Sequence, residues 1–258
     1  MTASSQVRAS NVLALREVAV VYGHNVAVCD VTANIPAGAI VGLIGPNGSG
    51  KSTLLKGIAG SVPLAAGSVV FGDRPIQELG GRAAYVPQRE EVNWGFPVTA
   101  LDVVMMGRYR ALGWLRWPGR RERELAEAAL AKLGLGGMGG RHISQFSGGQ
   151  QQRIFLARAM VQEPALVLLD EPFTGIDVQN RAVFHEQIRR FSAAGVTVLV
   201  ATHDLDEVRS MTSHVLLLNR RMVAFGPTAT TFTPANLRAA FGGQVAVFEQ
   251  VPVYEQLP

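Results

Sequence analysis

The chain has 258 residues and 48% hydrophobic content, enough to bury one large core, and its 28 glycines fit an α/β protein with many tight turns. The formal net charge of +4 is carried almost wholly by arginine, since Lys51, Lys56 and Lys132 are the only lysines; this fits anionic ligands or an anionic membrane surface without establishing nucleic-acid binding. Cys29 is the only cysteine, which excludes an intrachain disulfide and fits a reducing compartment.

The first residues, 1–11, are polar and lack the apolar core of a signal peptide, and the apolar run from Val12 is broken by Arg16 and Glu17. No stretch approaches the roughly 18 consecutive apolar residues of a spanning helix. The expected location is cytosolic, with any membrane association made through a partner. Residues 18–22 and 26–35 are predicted as strands joined by a turn at Gly23-His24-Asn25. A near-continuous apolar strand at 39–44 runs into a glycine-rich loop, and 52–59 has helical spacing. Short strands are predicted at 68–71 and 83–86. The region from 88 to 163 is mostly helical in pattern, with a charged helix at 120–133 followed by a glycine-rich stretch at 134–140. Runs at 165–169 and 196–201 have the β-branched and leucine-rich character of strands buried on both faces. Residues 214–219 and 222–225 read as a hairpin, and 243–258 carry no functional signal. The fold class is α/β: a mainly parallel sheet flanked by helices, with an N-terminal antiparallel part and a helical insert.

Three motifs carry chemistry. Gly45, Pro46, Asn47, Gly48, Ser49, Gly50, Lys51 and Ser52 match the P-loop pattern G-x-x-x-x-G-K-[ST] between a strand and a helix. The glycines let backbone N–H groups converge on phosphate oxygens, and the helix start adds positive dipole. Lys51 is expected to reach the β- and γ-phosphates and the Ser52 hydroxyl to meet Mg²⁺, with Thr53 completing the phosphate-binding set. By composition alone the pattern arises by chance in about one chain in a hundred of this length. Downstream, four apolar residues lead into Asp170 and Glu171. A carboxylate ending such a strand can hold hydrated Mg²⁺, and Glu171 is the candidate general base for water. Between these motifs lies Phe-Ser-Gly-Gly-Gln at 146–150, ahead of a helical segment, so Ser147, Gly148, Gly149 and Gln150 form a second anion site at a helix start.

This combination resembles the ATP-binding cassette ATPases over nearly the whole chain, and the P-loop NTPase core of that family is the fold expected. The resemblance implies one domain spanning 1–258. Its nucleotide-binding core is at about 1–88 and 163–230, a helical subdomain with the signature motif at about 89–162, and a tail at 231–258. It implies that Gln88 contacts Mg²⁺ and water, that Asp177 in Thr-Gly-Ile-Asp communicates across a dimer, and that His203 contacts the γ-phosphate. Tyr22 stands where the family places an aromatic that stacks on adenine. The cofactors implied are ATP and Mg²⁺. Ser147 to Gln150 would then serve an ATP held by a second copy of the chain, giving a homodimer with two shared sites. Phe146 departs from the leucine usual at that position and leaves the donors untouched.

Residues 86–99 and 102–109 resemble the importers of manganese, zinc and iron, as does the Phe-Thr-Gly-Ile-Asp run at 173–177. Importers of siderophores, haem and cobalamin share parts of this pattern. The partners implied are an integral-membrane permease and, indirectly, an extracytoplasmic substrate-binding protein, with this subunit on the cytoplasmic face of the membrane. The arginines 108, 110, 116, 120 and 121 interleave with Tyr109, Trp114 and Trp117, a pattern also seen in nucleic-acid binding. Transport fits a lone cassette better, and no nucleic-acid partner is expected. A soluble, non-transport cassette ATPase is the competing class. Such proteins usually carry twin cassettes, a long coiled-coil insertion or zinc hooks, none of which is read here.

Overall fold

The computed structural model describes residues 13–242 apart from 80, 93, 114–116 and 177, and the side chains of 178–180 are also outside the description. The readings placed on residues 1–11, Val12, Trp114, Arg116, Asp177 and 243–258 therefore lie outside the described residues. The strands are β1 (Leu13–Tyr22), β2 (Asn25–Ile35), β3 (Ile40–Ile44), β4 (Ala66–Phe71), β5 (Arg74–Pro75), β6 (Ala83–Val86), β7 (Leu166–Asp170), β8 (Thr197–Ala201), β9 (His214–Asn219) and β10 (Arg221–Pro227). The helices are α1 (Lys51–Ile58), α2 (Ala100–Met105), α3 (Tyr109–Leu112), α4 (Arg120–Lys132), α5 (Gly148–Val161), α6 (Val178–Ala193), α7 (Leu205–Met211), α8 (Thr228–Thr231) and α9 (Pro234–Phe241).

The larger sheet has the order β10-β9-β3-β8-β7-β6, parallel except for β10, and the smaller antiparallel sheet has the order β2-β1-β4-β5. Strands β3, β7 and β8 are buried at every residue. Their apolar runs have no polar alternation because both faces are covered. On β7, Leu166 and Leu168 pack with Leu54, Leu55 and Ile58 of α1 and with the small sheet. Val167 and Leu169 face the other way, into a core shared with α2, α4 and α5. Helix α1 is thus held between the two sheets, and the helices of 100–161 cover the opposite face. Among the described residues no helix is long and apolar enough to cross a membrane.

Most predicted elements appear within a residue or two, and 83–86 and 214–219 coincide with β6 and β9. Strand β1 begins at Leu13, well before the predicted start at 18, because Arg16 and Glu17 sit at an irregularity in the ladder where both side chains are exposed. Two outward polar residues in a row break the period-2 signal although the strand continues. Glu17 takes φ 48° there and its N–H donates to Thr32 Oγ1 at 2.9 Å. The region 88–163 is less uniformly helical than its pattern implies, with 3₁₀ turns at Arg89–Glu91, Met106–Arg108 and Ile143–Gln145. Residues 178–193, assigned no element from the sequence, form α6.

Opposite the bulge, Gly67 has φ 81°, and a Cβ on it would fall 2.3 Å from the carbonyl oxygens of both Arg16 and Glu17. Gly67→Ala is expected to destabilise the fold by about 2 kcal/mol or more, combining left-handed strain with displaced backbone. Thermal melts should show the midpoint falling by roughly 4 °C or more for a chain of this size; an unchanged midpoint would mean the bulge is not held in this form.

Candidate active site

Four strand ends build one cleft. The loop 45–50 follows β3, Glu171 follows β7, His203 lies just beyond β8, and Arg220 follows β9. The cleft has a volume of about 940 Å³, and its lining includes the whole loop from Gly45 to Thr53 together with Gln88, Glu171, Thr174 and His203. It extends past Asn25, Val26 and Ala27 at the start of β2 to Arg220 and Phe241.

The glycines of the loop have separate reasons. A Cβ on Gly45 would lie 2.0 Å from the Leu218 carbonyl oxygen, so the loop passes too close to β9 for any side chain. Gly48 has φ 76° with open space around it, a purely conformational need. Gly50 combines φ 97° with a Cβ position 2.4 Å from Val28, and it caps α1. The N–H groups of the first turn of α1 have no partner within the helix and point toward the loop's concavity. Ser49 Oγ is buried with no hydrogen-bond partner among the described residues. Lys51 is buried, and its ammonium donates to the carbonyls of Gly45 at 2.8 Å and Pro46 at 3.2 Å. Burial lowers its pKa, while Glu171 and Asp170 oppose that shift.

Across from the loop, Asp170 is fully buried. Its Oδ1 accepts from Ser52 Oγ at 3.0 Å and its Oδ2 from the Tyr85 hydroxyl at 3.1 Å. Burial raises the Asp170 pKa, with the two hydroxyl donors working against it. Burial also pushes the Tyr85 phenol up, so it stays a donor to the carboxylate. Glu171 sits at φ 46°, its N–H donating to the Ala201 carbonyl at 3.0 Å, and its Oε2 lies 2.8 Å from His203 Nδ1. The acid is nearly covered and the imidazole is 64% exposed, so the pair spans the rim of the cleft. A buried cation, a glycine cradle of free N–H groups and a hydroxyl beside a buried carboxylate form a donor set that fits a nucleotide triphosphate with a hard divalent ion.

Ser147 to Gln150 stand apart from this cleft. Ser147 is exposed and caps α5, its Oγ accepting from Gln150 N–H at 3.4 Å while Gln150 Oε1 accepts from Ser147 N–H at 2.9 Å. Phe146 is buried, with the Arg141 guanidinium 4.9 Å above its ring. Tyr22 ends β1 at 48% exposure, and the cleft wall beside it is made by Asn25 to Ala27. Gln88 is half-buried in the cleft wall, and Arg89 next to it donates to Gln151 Oε1 of α5 at 3.2 Å.

Several contributors escaped the sequence reading. Tyr85 lies in the predicted strand 83–86 and Arg220 between the two predicted hairpin strands, and neither position carries a motif. His185, which has no metal-ligand spacing to another histidine, packs edge-on against Phe173 and meets Glu207 of α7. Arg181 of α6 donates to the Ile176 carbonyl at 3.3 Å, to Asp204 at 3.1 Å and to Glu207 at 3.2 Å. Its guanidinium ties the run before Asp177 to the turn after His203. Two acids at that turn three residues apart were the available signal.

Residues 28–174 match the family profile described as ABC transporter. The chain is 48% identical over 218 residues to the zinc transport system ATP-binding protein TroB of Treponema pallidum (strain Nichols), covering 84% of this chain and 82% of that protein. It is 43% identical to the manganese transport system ATP-binding protein MntB of Bacillus subtilis (strain 168), covering 90% and 92%. It is 44% identical to the chelated iron transport system membrane protein YfeB of Yersinia pestis, covering 86% and 75%. Among solved structures, an inward-facing conformation described as that of a metal-chelate type ABC transporter superposes with a TM-score of 0.77 at 28% identity, covering 89% of this chain and 88% of that one. The chain belongs to the ABC transporter family, as an ATP-binding member.

Proposed function

We propose that this chain hydrolyses ATP, bound as its magnesium complex, to drive import of manganese, zinc or iron through a separate membrane permease. The observation that carries the chemistry is the Glu171–His203 pair at the rim of the P-loop cleft, 2.8 Å apart. Glu171 Oε2 takes the proton of the attacking water, and His203, hydrogen-bonded to it, turns toward the γ-phosphate. Lys51 moves from the loop carbonyls onto the β- and γ-phosphates. Ser52, Asp170 and Gln88 would hold the ion, which would supply charge neutralisation on the phosphates. The N–H groups of Gly48 and of Gly50 to Thr53 carry the remaining phosphate oxygens, Pro46, whose carbonyl accepts from Ser49 N–H at 3.1 Å, and Asn47 shape the turn, and Tyr22 closes on adenine.

Ser147 to Gln150 lie outside the lining of this cleft, which supports a role at a second nucleotide. We assign them, with Asp177, to the γ-phosphate side of an ATP held by a second copy, in a head-to-tail homodimer. The helices of residues 89–162 act as a subdomain that presents the signature. The permease places the subunit on the cytoplasmic face of the membrane, and a substrate-binding protein delivers the cargo outside. The named activities of the zinc, manganese and chelated-iron relatives support this cargo class.

Glu171→Gln should bind ATP, lose turnover by about 10²–10⁴-fold and accumulate as dimer; near-normal phosphate release in that variant would remove Glu171 from the base role. Shared sites predict complementation. A Cβ on Gly149 meets nothing closer than 3.7 Å, so Gly149→Asp should fold while placing a carboxylate where phosphate is expected. Lys51→Ala and Gly149→Asp chains, each inactive alone, should regain ATPase activity when mixed, because one site of the mixed dimer is intact. A mixture no more active than its components would argue against sharing. For cargo, cells lacking this chain should lose uptake of at least one of radiolabelled manganese, zinc or iron. Unchanged uptake of all three would refute the metal reading while leaving the ATPase reading in place.

A further inference from the structure

The cleft contains a cation that the catalytic reading does not use. Arg220 lies at the turn between β9 and β10 and has φ 59°, a left-handed conformation that non-glycine residues rarely adopt. Its backbone is fastened on both sides: its N–H donates to the Ser49 carbonyl at 2.8 Å, and its carbonyl accepts from Cys29 N–H at 2.8 Å. The turn is thereby stitched to the phosphate loop and to β2 together. The residue is exposed and belongs to the lining of the cleft. Its neighbour Arg221 pairs with Asp30 at 3.5 Å, whereas among the described residues no carboxylate pairs with Arg220.

Sheet order fixes which part of a nucleotide this cation faces. Strand β9 lies on one side of β3, and β8 and β7 lie on the other. Glu171 and His203, which mark the γ-phosphate end, therefore flank the loop on the side opposite Arg220. Asn25, Val26 and Ala27 share the Arg220 side of the cleft through the Cys29 contact. We propose that Arg220 is a nucleotide-binding residue that pairs with the phosphate charge nearest the ribose, the part common to ATP and ADP. A backbone strained at a non-glycine residue and pinned at both ends fixes where an exposed arginine leaves the wall of an anion-binding cleft, and strain of this kind concentrates at ligand clamps. The proposal rests on the nucleotide reading of the cleft and adds a contact that acts equally before and after hydrolysis. Its consequence is retention: Arg220 slows release of ADP as much as it favours capture of ATP.

The test is isothermal titration of ADP and of the β,γ-imido analogue of ATP, with magnesium, into the full chain. Arg220→Gln should weaken both ligands by the same factor, about three- to tenfold for one charge-assisted contact at a solvated position. Arg220→Lys should recover most of the loss, and the gap between wild type and Arg220→Gln should narrow as salt is raised. Arg220→Gly relieves the left-handed strain, so it should raise the melting temperature of the ligand-free protein while weakening both nucleotides like Gln. A purely structural turn residue would not give these opposite signs. Equal ADP affinity in wild type and Arg220→Gln would overturn the proposal alone. So would weakening confined to the ATP analogue, or a gap insensitive to salt. If wild type binds neither nucleotide, the reading of the cleft falls with it.

Discussion

The site depends on the register of adjacent parallel strands. Leu43 of β3 and Asp170 of β7 both lie opposite Ala201 of β8, and the ladder is extended past the strand ends by Glu171 N–H on Ala201 and Thr202 N–H on Leu43. The phosphate loop, the acid pair and the histidine leave the sheet at one level because those bonds hold them there. Open α/β sheets bind ligands beyond the carboxyl ends of their strands for this reason. A slip of one residue would exchange the two faces of a strand whose alternate side chains already fill different cores. Hydrophobic packing thus sets catalytic alignment, although no apolar side chain need touch the substrate.

Outside the cleft, polar contacts attach its parts to the surrounding elements. Lys56 at the end of α1 pairs with Glu91 at 2.6 Å, Arg89 reaches Gln151, and Arg158 donates to the Tyr85 carbonyl at 3.0 Å. The Gln88 segment is therefore bonded to the helix after the phosphate loop and to the signature helix. Arg181 makes the corresponding connection on the other side, from Ile176 to Asp204 and Glu207. A displacement of α5 or α6 has a direct bonded route to Gln88 or to the turn bearing His203. These contacts hold the two walls of the cleft to the elements around them.

Much of this was legible in the sequence because its signals are local. Glycines at 45, 48 and 50 belong to a contiguous motif whose spacing is read locally even though the crowding at 45 and 50 comes from β9 and β2, and the unbroken apolar runs of β3, β7 and β8 follow from burial on two faces. The start of β1 was obscured by the bulge, which places Arg16 and Glu17 outward in succession. Arg220 was illegible for a different reason. Positive φ is anticipated at glycine or asparagine, and nothing in Asn-Arg-Arg announces that tertiary bonds to Ser49 and Cys29 override that preference. The roles of Tyr85, Arg181 and His185 depend on pairings between distant segments, which periodicity does not encode. Fold and motif positions were readable, while the braces that hold them emerged only in three dimensions.

The contacts of Lys51 bear on kinetics. Its ammonium, bonded to the carbonyls of Gly45 and Pro46, acts as an internal strut across the loop proposed to receive phosphate. Binding of nucleotide would exchange these carbonyl contacts of Lys51 for phosphate oxygens. The strut's release is a side-chain rotation, fast beside any movement of subunits. The slow events of the cycle are thereby left to the larger motions that joining two chains would require.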